Sequence, residues 1–520
     1  MQNKIKVNII GAGISGLSAG CYLQMNGFDT QIFEKHSIPG GLCTSWQNGE
    51  YTVDGSLHWI LGTKEGSGFH KMWSELLDME KIPFHNHEVR NYIEVKNSCD
   101  KYGNKVFKLY TNMEKWRNYM LDISPQDHKV INELIQDIRN LQQFELPPVS
   151  YKLPLFASIK RFIGMAHYLK FLVYVAKQKK ISNLDIAKRF KNPFLKESFE
   201  LLFDGQEVKM MVLNFPMAFF DKESAGYPIG GSLKWAERIA ENYIQLGGKI
   251  HYNTPVKQIL VEQNQTKGLL VRNNVTHTSD IVLSTADWYK SIFEYLGGKF
   301  VNSKIIRLKE EKTLEIYYSI LLVSFGLNKN CKEHPHFLRF PIDEPLQSPC
   351  GQSWDRIETH YYNYDPSLAP EGKTTMSCSF YTKNGNYWID LRKNDRQKYR
   401  EEKKKFIESL TNILEKKFPG FVACVEMVDF ATPATVLRYT NNWQGSVQGW
   451  LPSKNMAAAT PIKPTLPNLK GYYYASHWGI PGGGIPISLI QARDVAKLIC
   501  KNHKVEFNPL AGKIRNWKAL

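Results

Sequence analysis

Gly11-Ala12-Gly13-Ile14-Ser15-Gly16 places three glycines at G-x-G-x-x-G spacing, and Glu34 stands 23 residues after the first. Glycines so spaced meet three demands of a bound pyrophosphate. The first permits a tight turn, the second lets the phosphates approach the backbone, and the third lets helix and strand pack closely. The helix start beyond them offers free N–H groups and partial positive charge. A carboxylate at Glu34 can accept hydrogen bonds from a ribose diol. The motif leaves NAD and FAD open. Lys35 follows, and then Pro39-Gly40-Gly41-Leu42. A Gly-Gly pair just past the ribose acid suits a second approach of backbone to ligand, as the longer FAD requires, although ordinary loops use the same residues.

Two histidines are candidates for proton chemistry. His58 lies in Asp54-Gly55-Ser56-Leu57-His58-Trp59, and His477 lies in Ala475-Ser476-His477-Trp478. An imidazole titrates near neutrality, so either could give or take a proton beside a redox centre. The competing reading for each is a packed His-Trp pair that shapes a pocket. His and Cys nowhere cluster at zinc-ligand spacing.

The elements that must position these residues are legible nearby. Lys4 to Ile10 reads as a buried strand, Ile14, Leu17, Cys21 and Met25 recur at helical spacing, and Thr30 to Glu34 reads as a second strand. The order is strand, glycine turn, helix, strand. Residues 225–290 form a further α/β block: the turn Gly226-Tyr227-Pro228-Ile229-Gly230-Gly231-Ser232, a helix through Leu233, Ala236, Ile239, Ala240 and Tyr243, then strands near 249–252, 256–262 and 281–284. Residues 395–418 predict an amphipathic helix with Phe406, Leu410, Ile413 and Leu414 on one face. Near the C-terminus, a strand through Tyr472-Tyr473-Tyr474 carries His477 into the glycine-rich turn Pro481-Gly482-Gly483-Gly484-Ile485-Pro486, and a helix follows from about Ile487 to Lys501.

At 520 residues the chain exceeds one hydrophobic core. It is 42% hydrophobic and 22% charged, which excludes general disorder and a polytopic membrane protein. Eight cysteines without a C-x-x-C pair argue against a disulfide scaffold and fit a reducing cytoplasm. The longest later apolar run, Phe162 to Ala176, is too short to span a bilayer and carries Lys170. The net charge of +17 favours anionic partners. From Lys152 to Lys191 ten Lys or Arg stand against one acid, Asp185, among aromatic residues. This stretch suits an anionic membrane surface better than nucleic acid, for which no recognition fold is visible. The location expected is cytoplasmic with peripheral membrane association.

Four separated blocks together resemble the FAD-dependent phytoene desaturase and retinol saturase group, which includes carotenoid isomerase-like proteins. They are Gly11-x-Gly13-x-x-Gly16-Leu17 through Glu34 and Gly40-Gly41; Tyr227-Pro228-x-Gly230-Gly231 with Gly247-Gly248 and Asn253-x-x-Val256-x-x-Ile259; Thr432-Pro433 with Gly445 and Gly449; and Pro481 to Pro486. The chain departs from the group at Ser476 and Ser56, where it often has glycine.

The resemblance implies an α/β fold with a discontinuous Rossmann-like FAD-binding domain and an α+β substrate domain. The FAD domain would comprise residues 1–85, 225–290 and 468–505. The substrate domain would comprise 86–224 and 291–467, with 506–520 a C-terminal tail. Gly11, Gly13 and Gly16 would hold the pyrophosphate and Glu34 with Lys35 the adenosine ribose end, Gly41 and Leu42 would pass near the cofactor backbone, and Val256 would meet the adenine through its main chain. Gly482, Gly483 and Ile485 would lie by the isoalloxazine. The expected activity is an FAD-dependent oxidoreduction at C–C or C=C bonds of a long apolar polyene, isoprenoid or acyl chain, with His58 or His477 tuning proton delivery. Oxygen, a quinone or a small redox protein would be the electron partner, since no second dinucleotide fingerprint is present. The alternatives are a redox-neutral double-bond isomerase, an amine oxidase with an aromatic cage drawn from Tyr361, Tyr362 and Tyr472–Tyr474, and a flavoprotein lipid carrier.

Overall fold

The computed structural model describes residues 4–142, 181–310, 314–451 and 462–511. Much of the basic 152–191 stretch, including Lys177, Lys179 and Lys180, lies outside the described residues.

A five-stranded parallel sheet carries the glycine turn. Its order is Tyr472–Tyr474, Ile281–Ser284, β1 (Lys6–Ile10), β2 (Asp29–Phe33) and Lys249–His251. Three distant stretches of chain therefore supply one sheet. After its exposed first residue β1 is buried throughout, as a parallel strand covered on both faces must be. Helix α1 (Ile14–Met25) is buried along nearly its whole length. It packs against the helices Gly231–Gln245 and Gly484–Asn502. The last helix starts three residues earlier than its periodicity predicts. Pro486 falls in the first turn, where a missing N–H costs no helical hydrogen bond.

A second sheet of seven strands runs Val425–Ala431, Ser319–Leu327, Thr374–Thr382, Ser353–Tyr361, Phe337–Gln347, Val89–Glu94 and Val106–Tyr110. All its pairs are antiparallel except Phe337–Gln347 with Val89–Glu94. The 22-residue helix Arg396–Lys417 covers one face and buries Tyr399, Phe406, Leu410 and Leu414. Ile413 is only partly buried.

Two buried aspartates tie the sheets together through the 227–232 turn. Asp365 accepts from the Tyr227 hydroxyl at 3.0 Å and from Gly230 N–H at 2.9 Å. Asp54 accepts from Ser232 N–H at 2.7 Å and from the Ser232 hydroxyl at 2.5 Å.

Candidate functional site

The chain leaves β1 at Gly11, whose φ of +96° disfavours any side chain, and Gly11 N–H donates to the Phe33 carbonyl at 2.9 Å. The other two glycines of the motif differ in what they serve. A Cβ on Gly16 would overlap the Gly11 carbonyl oxygen and reach Thr285 Oγ1 at 2.8 Å, so Gly16 is required by helix–strand packing. A Cβ on Gly13 would meet only the Gly40 carbonyl oxygen, at 3.8 Å. Gly13 is the N-cap of α1 at φ −72°, ψ 174°, without a side-chain cap. The protein itself therefore does not need glycine there, and the space beside its backbone fits a ligand that does.

Pro39–Leu42 closes over the same point. Gly40 N–H donates to the Ala12 carbonyl at 2.8 Å, and a Cβ on Gly41 would lie 3.4 Å from Gly13 Cα. Leu42 is half-buried in the following turn. Glu34, at the end of β2, is buried and accepts from Ala12 N–H at 2.7 Å and His36 N–H at 2.8 Å. Burial raises its carboxyl pKa, and these two N–H groups oppose that. Thr254 N–H donates to the Glu34 carbonyl at 2.7 Å, which sets Val256 two residues beyond Glu34's edge of the sheet. The Lys35 amine turns to Asn441 Oδ1 at 2.6 Å. Desolvation and the nearby Lys290 and Arg438 cations lower its pKa.

The C-terminal glycines come to the same end of the sheet. The Ser15 hydroxyl, in the first turn of α1, donates to the Ser488 carbonyl at 3.3 Å, so the starts of α1 and Gly484–Asn502 lie side by side. Two helix N-termini and their positive ends thus converge. A Cβ on Gly482 would meet nothing within 4 Å, whereas one on Gly483 would overlap the Gln448 carbonyl oxygen. Gln448 also donates its amide to the Gly482 carbonyl. Ile485, in the first helical turn, packs on the core.

The candidate histidines occupy different surroundings. Asp54 holds the His58 loop: besides Ser232 it accepts from Ser56 N–H at 3.0 Å and Leu57 N–H at 3.3 Å. Burial pushes its carboxyl pKa up to about 6 against these four donors. The His58 ring stacks on His360 with centroids 4.0 Å apart, and His360 Nε2 lies 3.1 Å from Glu358, which pairs with Arg339 at 2.5 Å. His477 lies not on the strand, which ends at Tyr474, but in a 3-10 turn of residues 477–479 closed by Gly479 N–H donating to the Ser476 carbonyl. Its ring neighbours Trp478 at 5.8 Å. Burial moves both pKa values away from the near-neutral titration expected of them: His58 falls well below 6.5 and His477 falls to about 4. His58 Nδ1 and His477 Nε2 are buried without a hydrogen-bond partner among the described residues.

Sequence reasoning missed Asp54, Ser232, His360 and Gln448. Asp54 stood inside a quoted motif, but its partner Ser232 is 178 residues away. The tyrosines proposed for an amine cage are not assembled. Tyr472 and Tyr474 pack in one core, Tyr473 in another, Tyr361 under the seven-stranded sheet, and Tyr362 against Tyr227 and Leu368.

Residues 9–76 match the family described as NAD(P)-binding Rossmann-like domain. Prolycopene isomerase 1, chloroplastic, of an Oncidium hybrid cultivar is 25% identical over 92% of this chain and 80% of its own length. The zeta-carotene-forming phytoene desaturase of Myxococcus xanthus is 22% identical over 95% of this chain and 93% of its own. Among solved structures, an oxidoreductase from Methanosarcina mazei superposes with a TM-score of 0.56 at 18% identity, covering 94% of this chain and all of that one. Putrescine oxidase superposes at 0.58 with 12% identity, covering 96% and 100%. These superpositions carry the fold alone. Along nearly its whole length, behind a Rossmann-like glycine turn, the chain is a homologue of carotenoid desaturases and isomerases.

Proposed function

We propose that this protein is an FAD-dependent oxidoreductase acting on C–C or C=C bonds of a long apolar polyene, isoprenoid or acyl chain. The observation that carries the reading is the gathering of three glycine turns, Gly11–Gly13, Gly40–Gly41 and Gly482–Gly484, at one end of the parallel sheet. It occurs in a chain whose relatives are carotenoid enzymes over more than nine-tenths of its length. In this reading the dinucleotide part comprises residues 1–85, 225–290 and 468–505, and the substrate part 86–224 and 291–467.

Gly11, Gly13 and Gly16 would carry the pyrophosphate and Glu34 the ribose. Lys35 and Val256 would border the adenosine half, Gly41 and Leu42 would pass near the cofactor backbone, and Gly482, Gly483 and Ile485 would lie by the isoalloxazine. FAD held there supplies hydride or electron exchange, with oxygen, a quinone or a small redox protein as the other partner. The chain's own part is to bind, orient and exclude water. Asp54 fixes the His58 loop against the start of Gly231–Gln245. Neutral His58 and His477 each present one unpartnered ring nitrogen, able to make one hydrogen bond to a bound group but unable to hold a second proton at neutral pH. An anionic membrane surface would deliver so apolar a substrate.

The prolycopene isomerases among the relatives favour one second reading, geometric isomerisation without net redox change. One experiment separates the two. Protein loaded with FAD is incubated with a cis-configured conjugated polyene in liposomes, in air in one arm and anaerobically after dithionite reduction of the flavin in the other, and the product is read by mass and absorbance. Loss of a hydrogen pair to the oxidised flavin and oxygen, or gain of one from the reduced flavin, is the expected result. Unchanged mass with a shifted spectrum selects isomerisation. A protein that neither retains FAD nor alters the polyene overturns the proposal.

A further inference from the structure

A basic groove lies on the outer face of the helices, apart from the glycine turns. Its larger part, about 740 Å³, is lined by Arg392, Arg396, Arg400, Lys403, Lys404 and Arg438, with Tyr399 and Ile407 beneath. A continuation of about 450 Å³ shares Arg392, Arg396 and Arg438 and adds Lys35, Lys290 and Lys393. Nine cationic side chains therefore face one carboxylate, Glu408, which Lys404 occupies at 3.7 Å.

Two of the lysines are paired within the fold, Lys404 with Glu408 and Lys290 with Glu294 at 2.6 Å, but the arginines are not. Arg392, Arg396, Arg400 and Arg438 form no ion pair among the described residues. Two of the arginines add to a positive helix start. Arg396 and Arg400 sit in the first two turns of Arg396–Lys417, where the N–H groups already create positive potential and the N-cap Asp395 is engaged by Lys398 N–H at 2.9 Å. Arg392 and Arg438 lie in the last turns of their own helices, where cations are favoured. Five segments bring like charges into one concavity: Gly385–Asn394, Arg396–Lys417, Pro433–Thr440, Lys290–Glu294 and the turn after β2 through Lys35. Four guanidinium groups gathered in one concavity without an ion pair, two of them at a helix start, mark a function.

We propose that this groove is a binding site for clustered phosphate oxyanions, of a soluble pyrophosphate-type ester or of an anionic lipid headgroup. The planar guanidinium forks of Arg392, Arg396, Arg400 and Arg438 match phosphate oxygens bidentately. The lysines add point charge, and the concave shape selects a compact polyanion over a broad flat partner. Apart from Lys35, which the flavin reading places at the adenosine end, the residues are not those assigned to FAD, so the arginine part of the groove stands whether or not the flavin reading does.

The test uses the full chain as purified. Sodium pyrophosphate is titrated calorimetrically at constant ionic strength. In parallel, vesicles of phosphatidylcholine alone and with one-fifth phosphatidic acid are sedimented with the protein. The proteins compared are wild type, Arg396→Gln/Arg400→Gln, and a remote control, Lys105→Gln/Lys108→Gln. Saturable binding is expected to weaken about tenfold or more for each guanidinium removed and to stay unchanged in the control. Pyrophosphate binding that follows this pattern assigns a soluble ester. Binding only to acidic vesicles with the same dependence assigns a headgroup. Failure of both probes to bind, or binding indifferent to the arginine pair in a variant that keeps the wild-type melting temperature, overturns the proposal. If the variant unfolds, Arg438→Gln replaces it, since Arg438 is exposed and lies on a separate helix.

Discussion

Gly13→Ser separates ligand binding from folding, because the structure assigns the motif's glycines different tasks. At φ −72° and ψ 174° Gly13 already has the extended N-cap geometry of α1, and its missing Cβ has no neighbour closer than 3.8 Å. Serine is a better N-cap than glycine, by a few tenths of a kcal/mol. The apoprotein should therefore melt at the same temperature or slightly higher. The new Cβ and hydroxyl would, however, stand in the phosphate approach and take over the N–H groups of the first turn. Losing two charge-assisted backbone hydrogen bonds at roughly 1.5 kcal/mol each amounts to about 3 kcal/mol, or about a hundredfold in Kd for FAD. Gly16→Ala should do the reverse. Its methyl would press on the Gly11 carbonyl and Thr285 Oγ1, and an overpacked contact of this kind costs about 3 kcal/mol. The assay is flavin fluorescence quenching for Kd, with melting measured on apoprotein, since bound FAD stabilises by mass action. Gly13→Ser with FAD affinity within threefold of wild type, or with a melting loss equal to that of Gly16→Ala, would refute the reasoning.

Asp54→Asn should cost about 2–3 kcal/mol by urea denaturation, because an amide cannot accept from all four donors that the carboxylate satisfies. Stability should fall between pH 7 and pH 5. His58, His87, His336 (about 3) and His477 (about 4) have pKa values depressed by burial, so the unfolded chain takes up protons first as pH drops below 6.5. Each such histidine removes up to about 2 kcal/mol at pH 5. Asp54 (about 6), Asp494 (about 6) and Asp287 (about 7) have values raised by burial and act oppositely, a contribution fully present below about pH 4 and lost as pH rises through their folded pKa. The histidines outweigh them, and urea titrations showing stability flat or rising toward pH 5 would contradict this. NADH should bleach the bound flavin only slowly in anaerobic stopped flow, because the single complete fingerprint is assigned to FAD and the nicotinamide's phosphates would otherwise be buried unpaired. Saturable bleaching at micromolar NADH would overturn that expectation.

How much the sequence disclosed depended on how local the interaction was. The strand–turn–helix–strand unit from Lys6 to Phe33 was legible because its hydrogen bonds and its periodicity lie within 30 residues. The later strands and the amphipathic helix were legible for the same reason. The helix Gly484–Asn502 begins three residues before its apolar periodicity shows, because glycine and Pro486 in a first turn add no periodic signal. His477 was placed on a strand because three tyrosines precede it, yet the ladder ends once Ser476 and Gly479 close a turn. Side-chain meetings across the fold carried no local signal. Glu34 can be read as a ribose acid, but its bond to Ala12 N–H, which ties the strand end to the glycine turn, appears only when β1 and β2 lie side by side.

The same distinction explains why His58 sits where it does. Its own segment is short, with glycine and serine before it, and would not hold an imidazole in one orientation. Asp54 supplies the constraint by accepting from both sides at once, from Ser56 and Leu57 in its own loop and from Ser232 at the start of a helix on the parallel sheet. Stacking on His360 then fixes the ring from the other sheet, because Glu358 and Arg339 hold His360 in turn. The histidine is thus referenced to both sheets, and any movement between them must displace it. A group that is to meet a ligand lying between a dinucleotide sheet and a second sheet requires that double reference, and a residue anchored to one sheet alone would lack it.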